Sequence, residues 1–236
     1  MTAQTSAGAF SGFPDQTLAF LQGLAANNEK AWFDAHRGDY EAFYVRPALA
    51  FVEALGPQLQ AVDPAVRYEA RVNGSLFRIQ RDIRFSKDKT PYKTNLDLWF
   101  WTGERKGWDN PGFFFRLAPD HLILGAGLHQ FGPEAVKAFR EAVIDLERGP
   151  QLAELMRQIE AGGTFTVGRE ARKTVPRGFD PGHERARFLR FDGLHAESHT
   201  PIPAEAATPI FVEYCLERFR ALNPVNLWLR ETLRPA

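Results

Sequence analysis

Between Phe77 and Lys93 the chain sets Arg78, Arg81, Arg84, Lys87, Lys89 and Lys93 against only Asp82 and Asp88. Cations at that density suit a phosphate or a carboxylate, because the planar fork of arginine bonds either anion through two parallel N–H groups. Tyr92 adds a neighbouring hydroxyl, and these nine residues form the candidate ligand-binding set. Arg81 is the anomaly. If Asn73-Gly74 is a tight hairpin turn, Glu69 faces Arg78 across the ladder and Val66 faces Arg81 on the apolar side. The alternation of Phe77, Ile79, Ile83 and Phe85 asks for a hydrophobe there, so the guanidinium needs a carboxylate or a bound anion. One reading pairs Arg81 with a structural carboxylate such as Asp97 and leaves the lysines as a solvated loop. The other has Arg78, Arg81, Arg84 and Lys89 gripping a ligand.

Other constellations carry less. Leu122 to Phe139 reads strand, glycine loop, helix, an arrangement able to present amides to an anion. Gly125-x-Gly127 is followed by Gly132 and not by a glycine three positions on, and no Gly-Lys-Ser or Gly-Lys-Thr occurs, which disfavours nucleotide chemistry. A plain strand-to-helix turn is the better reading. His195, Glu197 and His199 share one face of a strand and could hold a metal, but a solvated strand end accounts for them and no metal is assigned. His129 beside the glycine loop lacks a visible carboxylate partner. Cys215 falls inside an amphipathic helix and reads as a buried, inert thiol, and no Gly-x-Ser-x-Gly elbow is present. Trp99, Trp101, Trp108 and Phe113 to Phe115 invite base stacking, although aromatics alternating on strands are more often sheet core.

The elements that must position these residues follow from hydrophobic period. Asp15 opens a helix on Leu18, Phe20, Leu21 and Leu24 that ends at Asn27-Asn28; a second carries Trp32, Phe33, Tyr40 and Phe43, and a third follows Pro47. The period then changes to two. Val66 to Val72 and Phe77 to Phe85 are expected as paired strands, then Leu96 to Trp101, Phe113 to Leu117 and His121 to Gly127. Short turns between strands imply an antiparallel meander. Helices return after Pro133 and through Leu152 to Ile159, stopped by Gly162-Gly163. The basic segment from Phe165 to Asp192 offers one short helix near Glu184 to Leu189. The last helix is expected near Ala204 to Leu222, divided by Asn223-Pro224 from a short terminal helix. The fold class is α+β, an antiparallel meander flanked by N-terminal and C-terminal helices. Residues 1–12 are expected as a flexible tail and 13–236 as a single domain.

The run from Phe77 through Arg-Ile-Gln-Arg-Asp-Ile-Arg-Phe-Ser-Lys-Asp-Lys-Thr-Pro-Tyr to Lys93 resembles the signature of a bacterial family known as domain of unknown function 2461. Trp32-Phe33, Gly125-Ala-Gly127 and the run from Val175 to Asp180 are each similar to lesser motifs of that family, so the resemblance covers nearly the whole chain. Glu184 after His183 departs from it, where the family pattern has a proline. The resemblance implies a shared site at Arg78 to Lys93 and implies no reaction, ligand or cofactor.

Composition narrows the classes. Lysine plus arginine balance aspartate plus glutamate at 29 each in 236 residues, so no whole-protein field draws the chain to nucleic acid or anionic lipid, and any electrostatic function is local. No apolar run approaches a membrane span, and Met1 to Gly12 has neither the charge nor the apolar stretch of a secretory signal, so a cytoplasmic location is expected. The expected partner is a small anionic ligand, with neither nucleic acid nor membrane expected. Three classes stay open: an enzyme on a phosphorylated or carboxylated metabolite, a ligand- or single-strand-binding module, and a purely structural ion-pair motif.

Overall fold

The computed structural model describes residues 9–103, 110–168 and 171–233. Trp108 and residues 1–8 of the expected tail lie outside them.

Short apolar runs form the central strands where the sequence puts them: β2 (Leu96–Thr102), β3 (Gly112–Leu117) and β4 (Leu122–Leu128), with β2 buried at every position. With β1 (Val66–Arg67), β5 (Thr166–Val167) and β6 (Leu194–Thr200) they make one antiparallel sheet in the order β1-β2-β3-β4-β6-β5. The central meander is therefore present, in an α+β fold. β5 pairs antiparallel to β6 with Thr166 opposite Glu197.

The hairpin expected from Asn73-Gly74 is not there. The turn exists, with Asn73 at φ 62° and no room for a Cβ on Gly74, which would meet the Glu69 carbonyl oxygen at 2.6 Å. Ser75 closes it on Glu69 through its N–H and its hydroxyl, at 2.7 and 3.1 Å, so Glu69 meets Ser75 and not Arg78. Beyond the turn Leu76 keeps only a parallel bridge to Val72 and joins β2: it pairs antiparallel with Leu98, and the Phe77 N–H donates to Asp97 at 3.1 Å. Leu76 is fully buried there, which gives a reason for the exchange of partner.

Eight α-helices occur among the described residues: α1 (Asp15–Ala26), α2 (Lys30–Ala35), α3 (Arg37–Asp39), α4 (Arg46–Val62), α5 (Pro133–Ile144), α6 (Arg148–Ala161), α7 (Ala186–Leu189) and α8 (Phe211–Thr232). A π-helix, Tyr40–Val45, runs directly into α4. Pro47 lies behind this. It has no N–H to give the Phe43 carbonyl four residues back, and its ring crowds that carbonyl, so a wider turn relieves the chain. The Arg46 N–H reaches five residues back to Glu41, and the buried Thr17 hydroxyl donates to the Phe43 carbonyl at 2.5 Å. Asp15 begins α1 without making a side-chain cap.

Pro224 does not divide the last helix, as its sequence suggests; α8 runs through it. Leu222, Val225 and Leu229 are fully buried on both sides of the proline, and that continuous apolar face outweighs one missing backbone bond. A short 3-10 helix, Ala204–Ala207, stands in place of the start expected at Ala204. No helix among the described residues is long and apolar enough to cross a membrane.

Two compact units share the chain. One holds the described residues up to Phe100 with Phe114–Ile123 and His199–Glu217, and its core is a knot of Phe13, Phe51, Phe115 and Phe211 rings with centroids 5.2 to 6.1 Å apart. The other holds Trp101–Phe113, Leu124–Ser198 and the residues from Arg218 onward. Its core includes Phe113 against Phe219 and Phe139 against Phe131 and Trp228.

Candidate functional site

The cationic segment lies wholly in the first unit. Residues 77–85 are not a strand. Ile79 is buried but Ile83 is only partly covered and Phe85 is 95% exposed, so the alternation stops after one turn of the pleat. What forms is a narrow hairpin of the motif on itself. Lys93 donates its N–H to Ile79 at 2.8 Å, Gln80 bridges Tyr92, and the Arg81 N–H meets Pro91 at 2.9 Å, leaving residues 82–90 as its loop.

Side chains of the motif fasten that loop. Arg81 Nη1 donates to Asp88 Oδ2 at 2.5 Å and to the Thr90 carbonyl at 3.1 Å, and also meets the Thr90 hydroxyl. Its partner is Asp88 and not Asp97, and both groups are partly in water, with side-chain exposures of 27% and 58%. The expected burial of Arg81 in an apolar slot is thereby corrected, since the hairpin that would have made the slot does not form. Arg84 takes Asp82 with both arms of its fork, at 2.9 and 2.6 Å. Lys89 donates to the Ile83 carbonyl at 2.9 Å. The Thr90 N–H and then Arg81 hold the Asp88 carboxyl down at about 2, and Arg84 does the same to Asp82. Arg81, Asp82, Arg84, Asp88 and Lys89 thus spend their charge or hydrogen bonds within the loop. Arg78 and Lys87 are exposed and make no ion pair or hydrogen bond with a described residue.

A second cluster forms where the hairpin stem meets the sheet. Asp97 on β2 is nearly buried, and Arg116 on the neighbouring β3 donates Nε to it at 2.7 Å. Lys93 Nζ stands 3.6 Å from the other carboxylate oxygen and 4.8 Å from the Phe77 ring centroid. Burial lowers the Lys93 pKa, Asp97 opposes that, and the charges of Arg116 and Arg78 lower it further. Lys93 and Arg116 therefore share one carboxylate at a partly covered place, and Arg78 is near enough for its charge to act on Lys93. Arg116 was not among the candidate residues, although a charge inside the apolar run Phe113 to Leu117 marked it.

The stem is held from behind by the first helices. Asn28, just past α1, accepts the Tyr92 N–H at 3.0 Å and donates its amide to the Tyr92 carbonyl at 2.9 Å. Phe33 of α2 stacks on the Tyr92 ring at 4.3 Å. Tyr92 is thus a packing residue, with 7% exposure, and offers no free face to a ligand. Tyr44 donates to the Asn95 carbonyl at 3.3 Å, and burial followed by the nearby Asp97 charge pushes its phenol well above the ordinary value.

The family model of a conserved hypothetical protein, DUF2461, matches residues 16–228. The chain belongs to this family. Among curated proteins nothing matches it. The DUF2461 match spans both the hairpin and the Trp32-Phe33 helix that packs on it, two segments brought together here at Tyr92 and Phe33.

The second unit of this DUF2461 protein holds the weaker candidates. Gly127, at φ 126°, is glycine because a Cβ would stand 2.3 Å from the Leu194 carbonyl oxygen. Pro133 opens α5 directly after Gly132, as a plain strand-to-helix turn requires. The rings of His129 and His195 lie 4.3 Å apart, and His195 Nε2 is 3.9 Å from Glu197. His199 packs instead on His121 in the first unit. Among the described residues no group of three or more His, Cys, Asp or Glu side chains could hold a metal ion. Trp99, Trp101, Phe113 and Phe115 are buried, so they are core and not a stacking platform.

Proposed function

We propose that this protein binds a small anionic ligand, a phosphate or a carboxylate, at Arg78, Lys93 and Arg116. The observation that carries the reading is the gathering of cations at Asp97: Lys93 and Arg116 both meet its single carboxylate, and the exposed Arg78, which makes no ion pair or hydrogen bond with a described residue, is near enough for its charge to act on Lys93. Burial first, and the charges of Arg116 and Arg78 after it, depress the Lys93 ammonium; an anion entering there offsets those charges, and a guanidinium on the rim supplies a two-armed contact. The loop cations Arg81, Arg84 and Lys89 serve this reading as a frame, because their charges are already engaged.

Thermal shifts in phosphate, sugar phosphates and small dicarboxylates test it. Saturation at about a hundred times the dissociation constant stabilises by about 2.7 kcal/mol, and Arg78→Met should abolish that shift while Lys87→Met leaves it intact. Equal shifts in both variants would defeat the assignment.

One observation favours a second reading, a single-strand-binding module. Phe85 stands in solvent with the Arg84 guanidinium 5.8 Å from its ring centroid, a surface on which a base can stack. Anisotropy of a labelled oligothymidylate at low salt, compared between wild type and Phe85→Ser, decides between the two.

A further inference from the structure

A cavity of about 320 Å³ opens in the first unit, away from the cationic hairpin. Its walls are small or apolar, with Phe10, Pro14, Ala42, Ala50 and Ala207 among them, and its charged lining residue is Arg46. Two features build it. The segment from Phe10 to Phe13 is stitched to the 3-10 helix by the Phe13 N–H on the Ala206 carbonyl at 2.8 Å, and Gly12 presses so close that a Cβ would lie 2.1 Å from the Ala207 carbonyl carbon. On the other side the π-helix supplies Ala42, and the residue on which that wide turn ends is Arg46. Wide turns of this kind cost backbone regularity and recur at functional sites. The Arg46 side chain makes no ion pair or hydrogen bond with a described residue.

We infer that this cavity binds a small monocarboxylate with a compact apolar body, its carboxylate on the Arg46 guanidinium and its hydrocarbon among Ala42, Ala50 and Ala207. The volume sits at the lower end of the range for small-molecule sites, which suits a ring or short chain. Charge complementarity selects the head group. Arg46 is exposed at the mouth of the cavity, so a planar anion can take its two-armed bond there while its hydrocarbon lies on the apolar wall, a combination that a neutral isostere lacks. The inference is independent of the proposed anion site, with which it shares no residue.

The test is titration of the full chain, labelled at alanine methyl groups, with benzoate and hexanoate and with their neutral isosteres benzyl alcohol and hexanol. Saturable shifts of the Ala42, Ala50 and Ala207 methyl signals by at least one carboxylate are expected. Arg46→Met should weaken that binding by about tenfold or more, as loss of a charged hydrogen bond does, while leaving the weaker alcohol binding unchanged. Ala50→Leu, which fills the space, should abolish both. If neither carboxylate moves these methyls, if the alcohols bind as tightly, or if Arg46→Met binds the carboxylate as wild type does, the inference is wrong.

Discussion

Arg81 Nη1 lies 2.5 Å from Asp88 Oδ2, tying the stem of the hairpin to the far side of its own loop across seven residues. Because Asp88 is more than half exposed, the bond works in water and not in a dry interior. Arg81→Met should therefore cost about 1 kcal/mol, the value of a screened ion pair with neutral hydrogen bonds beside it, and not the several kcal/mol of a buried pair. Lys87→Met should cost less than about half a kcal/mol. Urea melts of the two variants provide the comparison, and a loss above that of an exposed pair would mean that Arg81 is more deeply enclosed.

Acid should loosen the same loop. The Asp88 carboxyl drops from 3.8 to about 2 in the folded chain, so as pH falls the unfolded chain takes up its proton first. The contribution is complete above 3.8 and drains away as pH falls through 2. A carbon-13 titration of the carboxyl should give a midpoint near 2. In Arg81→Met it should rise only part of the way, because the Thr90 N–H is the larger cause and remains. A wild-type midpoint at the ordinary value would contradict the loop geometry.

Asp97→Asn should destabilise by about 2 kcal/mol, less than a fully buried pair would, since Lys93 and Arg116 keep some contact with water. Adding Lys93→Met should then recover part of the loss, because the half-covered ammonium is what the missing carboxylate leaves stranded. A double-mutant cycle with strictly additive costs would mean the two residues do not interact.

Cys215 is fully buried on α8, so a thiol reagent should label the native protein only as fast as it unfolds. Immediate labelling would contradict the packing of that helix.

The parts legible in the sequence were those governed by local period. Leu96 to Leu128 reads as a meander because its short apolar runs are separated by turns and each strand pairs with the next. Pro133 and Gly162 bracket α5 and α6 because helix ends carry local chemistry. Residues 75–77 defeated the same reasoning: Leu76 makes its antiparallel pair with Leu98, more than twenty residues on, and keeps only a parallel bridge to Val72 behind it, and nothing in the turn Asn73-Gly74 announces that. The site divides along the same line. Arg81 and Asp88 are close in sequence and within one motif, whereas Arg116 reaches Asp97 only because β2 and β3 lie side by side. A charge in an apolar strand flags such a residue, but its partner is set by register.

Asn28 gives Tyr92 a donor and an acceptor at once, in the manner of a neighbouring chain in a sheet. The outer flank of a hairpin is otherwise an open template on which a second molecule can add a strand, the first step toward ordered aggregates. One amide side chain fills that place here with no strand of its own. Replacing Asn28 by alanine would leave the Tyr92 donor and acceptor open to a second chain, and the expected outcome, read by light scattering, is protein lost from solution before it unfolds.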